Sequence, residues 1–264
     1  MELSEFTYEY VSKSIERGVI KDINAVIPVL GGLTLLHIAT LNNDQQLVDY
    51  LLRKGADINS KSECWGTVFN IALIVNNLTT IQSLISFGAD VNHRIEFSEL
   101  RRFKMAVYQY CKEIRKFSLS SSFCIHTIFL SGHTAVATLP LNIAIHGQNV
   151  KMVELLLKNN ADPNPDADTY GSPLLFAAIK GDLPIIKLLL AYGSNVNIVM
   201  KHVGGIPHGL GESPLHVVAH NQDSEALKLF LDHDMIDINI VTDFKDSALH
   251  CAMMDTTDDN IITS

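Results

Sequence analysis

Apolar residues recur every three or four positions along most of this 264-residue chain, which is the spacing that places side chains on one face of an α-helix. The apolar runs are short and come in pairs. A run such as "LLHIATL" is followed, after a few polar residues, by a second run such as "LVDYLL". This pattern predicts pairs of short helices joined by turns, and therefore an all-α chain.

The helix pairs repeat with a period of 33 residues. The stretches "TLLHIATLNNDQQLVDYLLRKGADIN" and "TVFNIALIVNNLTTIQSLISFGADVN" are in register at this spacing. Two helices and a turn cannot bury their own apolar faces, so neighbouring copies must stack on one another. Five copies and the start of a sixth begin at Thr34, Thr67, Leu139, Ser172, Ser213 and Ser247.

The ends of the predicted helices are marked in a similar way in most copies. A Thr or Ser at the head can cap the first helix, and Pro140, Pro173 and Pro214 suit its first turn. An extended tail such as "ADVN" follows the second helix and leads into a turn. Between the second helix and this tail stands a residue that tolerates a left-handed backbone, at Gly55, Gly88, Asn160 and Gly193.

The pattern resembles the ankyrin repeat, on the residues "TLLHIA", "SPLLFAA", "SPLHVVA" and the "GADIN" and "GADVN" tails. The resemblance implies a solenoid of stacked helix-turn-helix units, with a concave surface of first helices and projecting β-turn fingers. It also implies a hydrogen bond between the Thr or Ser and a His three residues later. That His is replaced by Asn70, Asn142 and Leu175 in three copies, where we expect looser capping.

The repeats divide the chain into five segments. We expect a helical N-terminal cap in 1–30, repeats one and two in 31–92, an amphipathic helical insertion or a degenerate repeat in 93–136, repeats three to five in 137–240, and an incomplete sixth repeat in 241–264. The sixth copy has no second apolar run to cover its first helix. We therefore expect that the sequence is a fragment or that the native protein continues. A specialised C-terminal cap is the alternative.

A basic segment, "RRFKMAVYQYCKEIRK" at 101–116, lies inside a chain of formal net charge −9. As a helix it would carry apolar residues on one face and Arg101, Lys104, Lys112 and Arg115 on the opposite one. The basic face is either solvated or a partner-binding surface, and a membrane surface or a calmodulin-like clamp is a weaker alternative. The acidic remainder of the chain argues against nucleic-acid binding.

Two fingers carry aromatic residues at the same place. Trp65 and Tyr170 each stand two residues before the head of a repeat, and Phe244 lies one residue earlier in a third copy. An exposed aromatic can serve as a rigid interface anchor, whereas the alternative is that the ring packs onto the next finger. We expect Trp65 and Tyr170 to contact a partner.

Histidines supply the remaining candidates for partner binding. His146 and His220 occupy equivalent positions on two first helices, facing the predicted concave groove, where they are either solvated or in contact with a partner. Eight extra residues between repeats four and five lengthen a Gly- and Pro-containing finger that includes His202 and His208. This finger is either a solvated loop or a contact loop.

Sequence motifs of enzymes are absent, since no HExxH, GxSxG, Walker or kinase signature occurs. A Cys/His group formed by Cys124, His126 and His133 is a weak alternative catalytic site. Its spacing does not match a structural zinc site, so we expect no metal and no cofactor. Four scattered cysteines without a CxxC pair indicate a reducing compartment. Neither a cleaved signal peptide nor a membrane-spanning run is visible.

These observations predict a non-enzymatic scaffold that binds protein partners through the concave surface, the finger tips and the basic segment. We expect a cytoplasmic monomer that binds neither nucleic acid nor membranes. The degenerate repeats resemble, in style, ankyrin-repeat effectors of intracellular bacteria. Such an effector would be secreted into the host cytosol or nucleus and would bind host proteins.

Two other interpretations stay open at this point. The chain would fit a regulatory segment of a larger eukaryotic or viral protein. It would also fit the substrate-recognition part of a larger enzyme, with the chemistry in a further C-terminal domain or in the Cys/His group.

Overall fold

The computed structural model describes residues 6–28, 32–62, 65–93, 139–165, 172–199 and 211–254 of the chain. The chain divides into two compact units, Met1–Leu130 and Ser131–Ser264, which we call unit 1 and unit 2. Their described parts contain twelve helices, one two-stranded sheet and two isolated β-bridges. The all-α class and the helix pairs predicted from the sequence are confirmed.

Unit 1 begins with a single helix and continues with two helix pairs separated by a hairpin. Its described elements are α1 (Tyr8–Glu16), α2 (Leu35–Leu41), α3 (Gln45–Arg53), β1 (Lys61–Ser62), β2 (Gly66–Thr67), α4 (Val68–Ile74) and α5 (Leu78–Ser86). The strands β1 and β2 are antiparallel, with Lys61 opposite Thr67. The first helices α2 and α4 pack side by side, and α1 packs against α3.

Unit 2 contains three helix pairs and a further first helix among its described residues. These elements are α6 (Pro140–His146), α7 (Val150–Lys158), α8 (Pro173–Lys180), α9 (Leu183–Ala191), α10 (Pro214–His220), α11 (Ser224–Leu231) and α12 (Ala248–Met254). The first helices α6, α8, α10 and α12 pack in this order, each against the next. The second helices α7, α9 and α11 also pack in this order, each against the next.

The helix ends follow the local sequence. The Thr67 hydroxyl accepts a hydrogen bond from the Asn70 backbone N–H, and proline occupies the first turn of α6, α8 and α10, as predicted. Caps that the sequence analysis did not predict start the second helices. There an Asp or Asn side chain accepts the backbone N–H three residues later, which stabilises each helix by about 1 kcal/mol. The residues are Asp44, Asn77, Asn149, Asp182 and Asp223.

The predicted left-handed residues after the second helices are confirmed. Gly55 has φ +87° and Asn160 has φ +65°. This conformation lets the chain reverse so that the Ala56 N–H donates to the Leu51 carbonyl oxygen at 3.0 Å. The last carbonyls of the helix are thereby satisfied, and the extended tail starts at a defined place.

The core lies between the first and second helices of each pair and between neighbouring pairs. Every residue of α2 and of α4 is buried, and α3 contributes Leu47, Val48, Leu51 and Leu52. In unit 2 the second helices bury one stripe each, such as Ile185, Ile186 and Leu189 of α9. The helices are too short to be stable alone, so this burial between repeats holds the fold together.

A buried histidine ties the first repeat to the finger of the second. The Thr34 backbone N–H donates to His37 Nδ1 (3.2 Å), so Nδ1 is the acceptor nitrogen and the proton resides on Nε2. His37 Nε2 then donates to the Gly66 carbonyl oxygen at 3.2 Å. Burial lowers the pKa of His37 to about 4, which keeps the ring neutral at neutral pH. His216 makes the equivalent bond to the Asp246 carbonyl oxygen at 3.1 Å, and burial lowers its pKa as well.

Asparagine side chains join the turns that follow the second helices of consecutive repeats. Asn164 Nδ2 donates to the Gly193 carbonyl oxygen (2.8 Å), while its Oδ1 accepts the Asn195 backbone N–H (2.7 Å). Asn197 makes the same pair of bonds to Met235 and Asp237 of the following repeat. The Asn that ends the tail of repeats three and four therefore joins each of these repeats to the next.

Candidate partner-binding surface

The first helices α6, α8 and α10 of unit 2 become accessible only at their C-terminal ends. The eighth residue of each of these three repeats, counted from its Ser or Leu head, is His146, Ile179 or His220, and each of these is half-buried. Because α6, α8 and α10 pack consecutively, these three residues follow one another along the stack. We call them the central row. Lys180, next to Ile179, is exposed beside it.

Contacts between repeats hold the central row in place. The His146 ring lies against the Phe176 ring of the next first helix, with 5.5 Å between ring centroids and 35° between planes. The Asn221 side chain, next to His220, donates to the Ala178 carbonyl oxygen at 3.3 Å. The row therefore consists of side chains on a preorganised frame, and binding there would cost little ordering entropy.

The equivalent positions of unit 1 differ. Leu41 and Ile74 are the eighth residues of repeats one and two, and both are buried. Within the described residues, only unit 2 has imidazole rings at the eighth position of a repeat and an exposed lysine, Lys180, at the ninth. The two histidines singled out in the sequence thus fall in the same row, with Ile179 between them.

Trp65 does not project from its finger. It follows β1 in the turn of the hairpin, its backbone N–H donates to the Ser62 hydroxyl at 3.3 Å, and only 7% of its surface is exposed. Of the two alternatives for this aromatic, the structure has the packed one. Trp65 is therefore part of the hairpin and not an exposed anchor, because a ring buried in the free protein cannot also be offered to a partner.

Of the two finger aromatics in the described part of the chain, Trp65 and Phe244, it is Phe244 that projects. It lies on the finger between Val241 and Ser247, which form an isolated antiparallel bridge, and 66% of its surface is exposed. The Thr242 hydroxyl accepts the backbone N–H groups of Phe244 and Asp246, both at 3.2 Å, which holds the tip in a tight turn. The sequence analysis noted Phe244, one residue earlier than the place of Trp65 and Tyr170, but did not include it among the binding residues.

Comparison with known proteins identifies the repeats. The family model described as "Ankyrin repeats (3 copies)" matches residues 127–200 and 174–262, which together make up just over half of the chain. The chain belongs to the ankyrin-repeat family. A second model of this family, "Ankyrin repeat", matches residues 31–63. The resemblance drawn from the sequence is confirmed, and with it the character of the chain as a protein-interaction module.

Relatives of this ankyrin-repeat chain occur in animals and viruses. It is 25% identical over 202 residues to the human transient receptor potential cation channel subfamily A member 1, covering 75% of this chain and 17% of the channel. It is 24% identical over 213 residues to ankyrin repeat protein L371 of Acanthamoeba polyphaga mimivirus (78% and 26%). It is 30% identical over 148 residues to ankyrin repeat protein FPV031 of Fowlpox virus (55% and 42%). The chain thus spans less than half the length of each of these relatives.

Many of the sequence-predicted site residues lie outside the described residues of this ankyrin-repeat chain. Their proposed roles stay predictions. They are the basic residues Arg101, Lys104, Lys112 and Arg115, the finger residues Tyr170, His202 and His208, and the Cys/His group Cys124, His126 and His133.

The described residues give little indication of a catalytic site or a metal site. Cys251 is buried, and burial raises the pKa of its thiol, which disfavours the reactive thiolate. No group of three His, Cys, Asp or Glu side chains in this part of the chain could hold a metal ion. The described helices include none that is both long and apolar enough to cross a membrane.

Proposed function

We propose that this ankyrin-repeat protein binds a protein partner across the central row of unit 2 and the finger that carries Phe244. The observation that supports this most is the change along the first helices α6, α8 and α10, which are buried until the eighth residue of the repeat and there present His146, Ile179 and His220. Each of these side chains keeps an accessible part on an otherwise buried helix, and that part can contact a partner.

The composition of the proposed surface suggests what a partner would present. Phe244 offers a large apolar ring at a finger tip, which suits a shallow pocket on the partner. Lys180 and the two imidazole rings can pair with carboxylates or with backbone carbonyl oxygens. We further propose, as contacts independent of this surface, that a partner is bound by Arg101, Lys104, Lys112 and Arg115 of the basic segment and by Tyr170, His202 and His208.

The interpretations that go beyond binding a protein partner have less support. A role as an effector that acts on host proteins stays a prediction, as do the monomeric state, the exclusion of nucleic acid and the recognition role in a larger enzyme. The relatives named above, from a human and two viruses, fit the alternative of a regulatory segment in a longer chain.

The test compares two lysines of the same repeat. Lys180 lies beside the central row on α8, and Lys187 lies on the second helix α9; both side chains are exposed. Partners of the wild-type chain and of the Lys180→Glu and Lys187→Glu variants are captured and quantified by mass spectrometry. Binding of each captured partner is then measured with purified proteins.

We expect a partner whose affinity falls at least tenfold with Lys180→Glu and changes less than twofold with Lys187→Glu. A combined His146→Ala and His220→Ala variant should weaken the same partner. Equal binding by all variants would contradict the proposal, and so would an equal loss with Lys187→Glu, because that outcome places the interface on the second helices.

A further inference from the structure

Two glutamines of unit 2 have a backbone conformation that is unfavourable for a long side chain. Gln148 has φ +43° and Gln222 has φ +54°, each in the turn between the first and the second helix of its repeat. Non-glycine residues are uncommon in this left-handed region, because the Cβ atom crowds the following carbonyl oxygen. Strained residues of this kind cluster at binding sites, so the two glutamines are candidates for recognition.

The turn itself does not require glutamine. The equivalent residue is Gly181 in repeat four and Asn43 or Asn76 in unit 1, which are the residue types that tolerate a positive φ best. In all five turns the backbone N–H of this residue donates to the carbonyl oxygen three residues earlier, whatever the side chain. A Cβ at Gly181 would meet no atom within 4 Å, so the backbone and not the available space restricts this position.

Both glutamines are exposed and lie beside the central row. Gln148 follows His146 by two residues, and Gln222 follows His220 by two residues. The exposed Lys180 of repeat four lies between them along the stack, because α8 packs against α6 on one side and α10 on the other. Three consecutive repeats therefore carry an amide, an ammonium and a second amide, in this order, next to the central row.

The spacing of the two glutamines corresponds to a short stretch of extended chain. Helices that pack against each other lie about 8 to 10 Å apart, so two steps of the stack span about 16 to 20 Å. An extended chain covers this span with about five or six residues, since each adds about 3.3 Å. A side-chain amide both donates and accepts hydrogen bonds, which suits the backbone groups of an extended chain. In a helix those groups are bonded internally.

We propose that Gln148 and Gln222 bind an extended acidic segment of the protein partner, with their amides bonded to its backbone and with Lys180 paired to a carboxylate between them. A carboxylate fits because Lys180 forms no ion pair with any described residue. This inference rests on the function proposed above, since it names the conformation and the charge of the partner at the same surface.

The experiment selects peptides on the full chain from a phage-displayed library of random 12-residue sequences. Enriched peptides are synthesised, and their affinities for the purified proteins are measured by fluorescence anisotropy. The test variant is Gln148→Gly combined with Gln222→Gly, which gives both turns the residue of repeat four. The matched control is Asn76→Gly, which makes the same kind of change at the equivalent turn of unit 1. Thermal unfolding followed by circular dichroism measures the stability of each protein.

We expect acidic peptides whose affinity falls at least tenfold with the glycine variant and with Lys180→Glu, and changes less than twofold with Asn76→Gly. The glycine variant should nevertheless be more stable, with a thermal midpoint raised by about 2 °C for each substitution, because the strain of the two turns is relieved. Weaker binding together with higher stability distinguishes a role in recognition from a role in the fold.

Several results would overturn the proposal. Unchanged peptide affinity in the glycine variant would mean that the glutamines do not contact the peptide, and a lower thermal midpoint would mean that the fold needs them. Enriched peptides without Asp or Glu, peptides that become helical on binding, or no enriched peptide at all would exclude an extended acidic segment.

Failure of this proposal can be distinguished from failure of the function proposed above. If the glycine variant binds every peptide normally but Lys180→Glu still weakens a captured protein partner, this proposal fails and the partner-binding surface stands. If Lys180→Glu also leaves every peptide and every captured partner bound, both proposals fail.

Discussion

Acidification should destabilise unit 1 through His37. The ring is fully buried and bonded to Thr34 and Gly66, and its pKa is about 4 in the folded protein against 6.5 in the unfolded chain. Because the folded pKa is the lower one, the unfolded chain takes up the proton first as the pH falls. The contribution of the neutral His37 ring to the free energy of unfolding is therefore complete above pH 6.5 and is lost as the pH falls from 6.5 to 4.

The size of the pKa shift of His37 gives the magnitude of this effect. The lowering of the pKa from 6.5 to about 4 corresponds to about 3 kcal/mol of free energy of unfolding, of which about 2 kcal/mol is lost between pH 7 and pH 5. His216 contributes with the same sign in unit 2, because burial lowers its pKa too. The effect of His37 must therefore be measured by difference against a variant that lacks this ring.

The matched variant is His37→Asn, since Asn70 and Asn142 occupy this position naturally. Trp65 provides the assay because it is the only tryptophan of the chain, it is buried, and it precedes Gly66, which accepts the His37 bond. Urea unfolding followed by its fluorescence reports the free energy of unfolding of unit 1. We expect the wild-type advantage over His37→Asn to shrink by about 2 kcal/mol between pH 7 and pH 5. Parallel pH profiles of the two proteins would refute the reasoning.

Two further predictions concern polar side chains. Asn70→Leu should raise the free energy of unfolding by about 1 kcal/mol, because the Asn70 amide is buried without a hydrogen-bond partner among the described residues and Leu175 already occupies this position in repeat four. Asn164→Ala should lower it by about 1 to 2 kcal/mol, because the bonds to Gly193 and Asn195 are lost. Both are measured by urea unfolding.

A specific result would contradict each of these two predictions. Unchanged or lower stability of Asn70→Leu would mean that the amide has a partner such as a buried water. For Asn164 the control is Asn239→Ala, which removes the equivalent Asn of repeat five, where the described residues contain no following turn to bridge. A cost for Asn239→Ala equal to that for Asn164→Ala would contradict a role in joining repeats.

Much of the repeat architecture could be predicted because local residues control it. The period of 33, the prolines of the first turns and the left-handed Gly55 and Asn160 depend on backbone preferences that a short stretch of chain already contains. The family followed from the same positions. The caps at the second helices were missed, although Asp44 and its equivalents stand at one fixed place in every complete repeat.

The state of each surface residue could not be predicted in this way. Trp65 and Phe244 are both finger aromatics, yet one is buried and the other projects. Leu249 and Met253 satisfy the core pattern of the repeat, yet both are exposed. Exposure depends on whether another element covers a side chain, and that element comes from a different part of the chain or from another molecule.

The sequence by itself therefore determined the fold family, the helix pairs and the conformation of their ends, because these arise from interactions between residues close in the chain. Only the tertiary structure decided which side chains are available for binding. His146, Ile179 and His220 form one accessible row because α6, α8 and α10 stack, while Leu41 and Ile74 at the same position are buried. The periodicity that predicts the repeats is the same in both units, so it could not distinguish them.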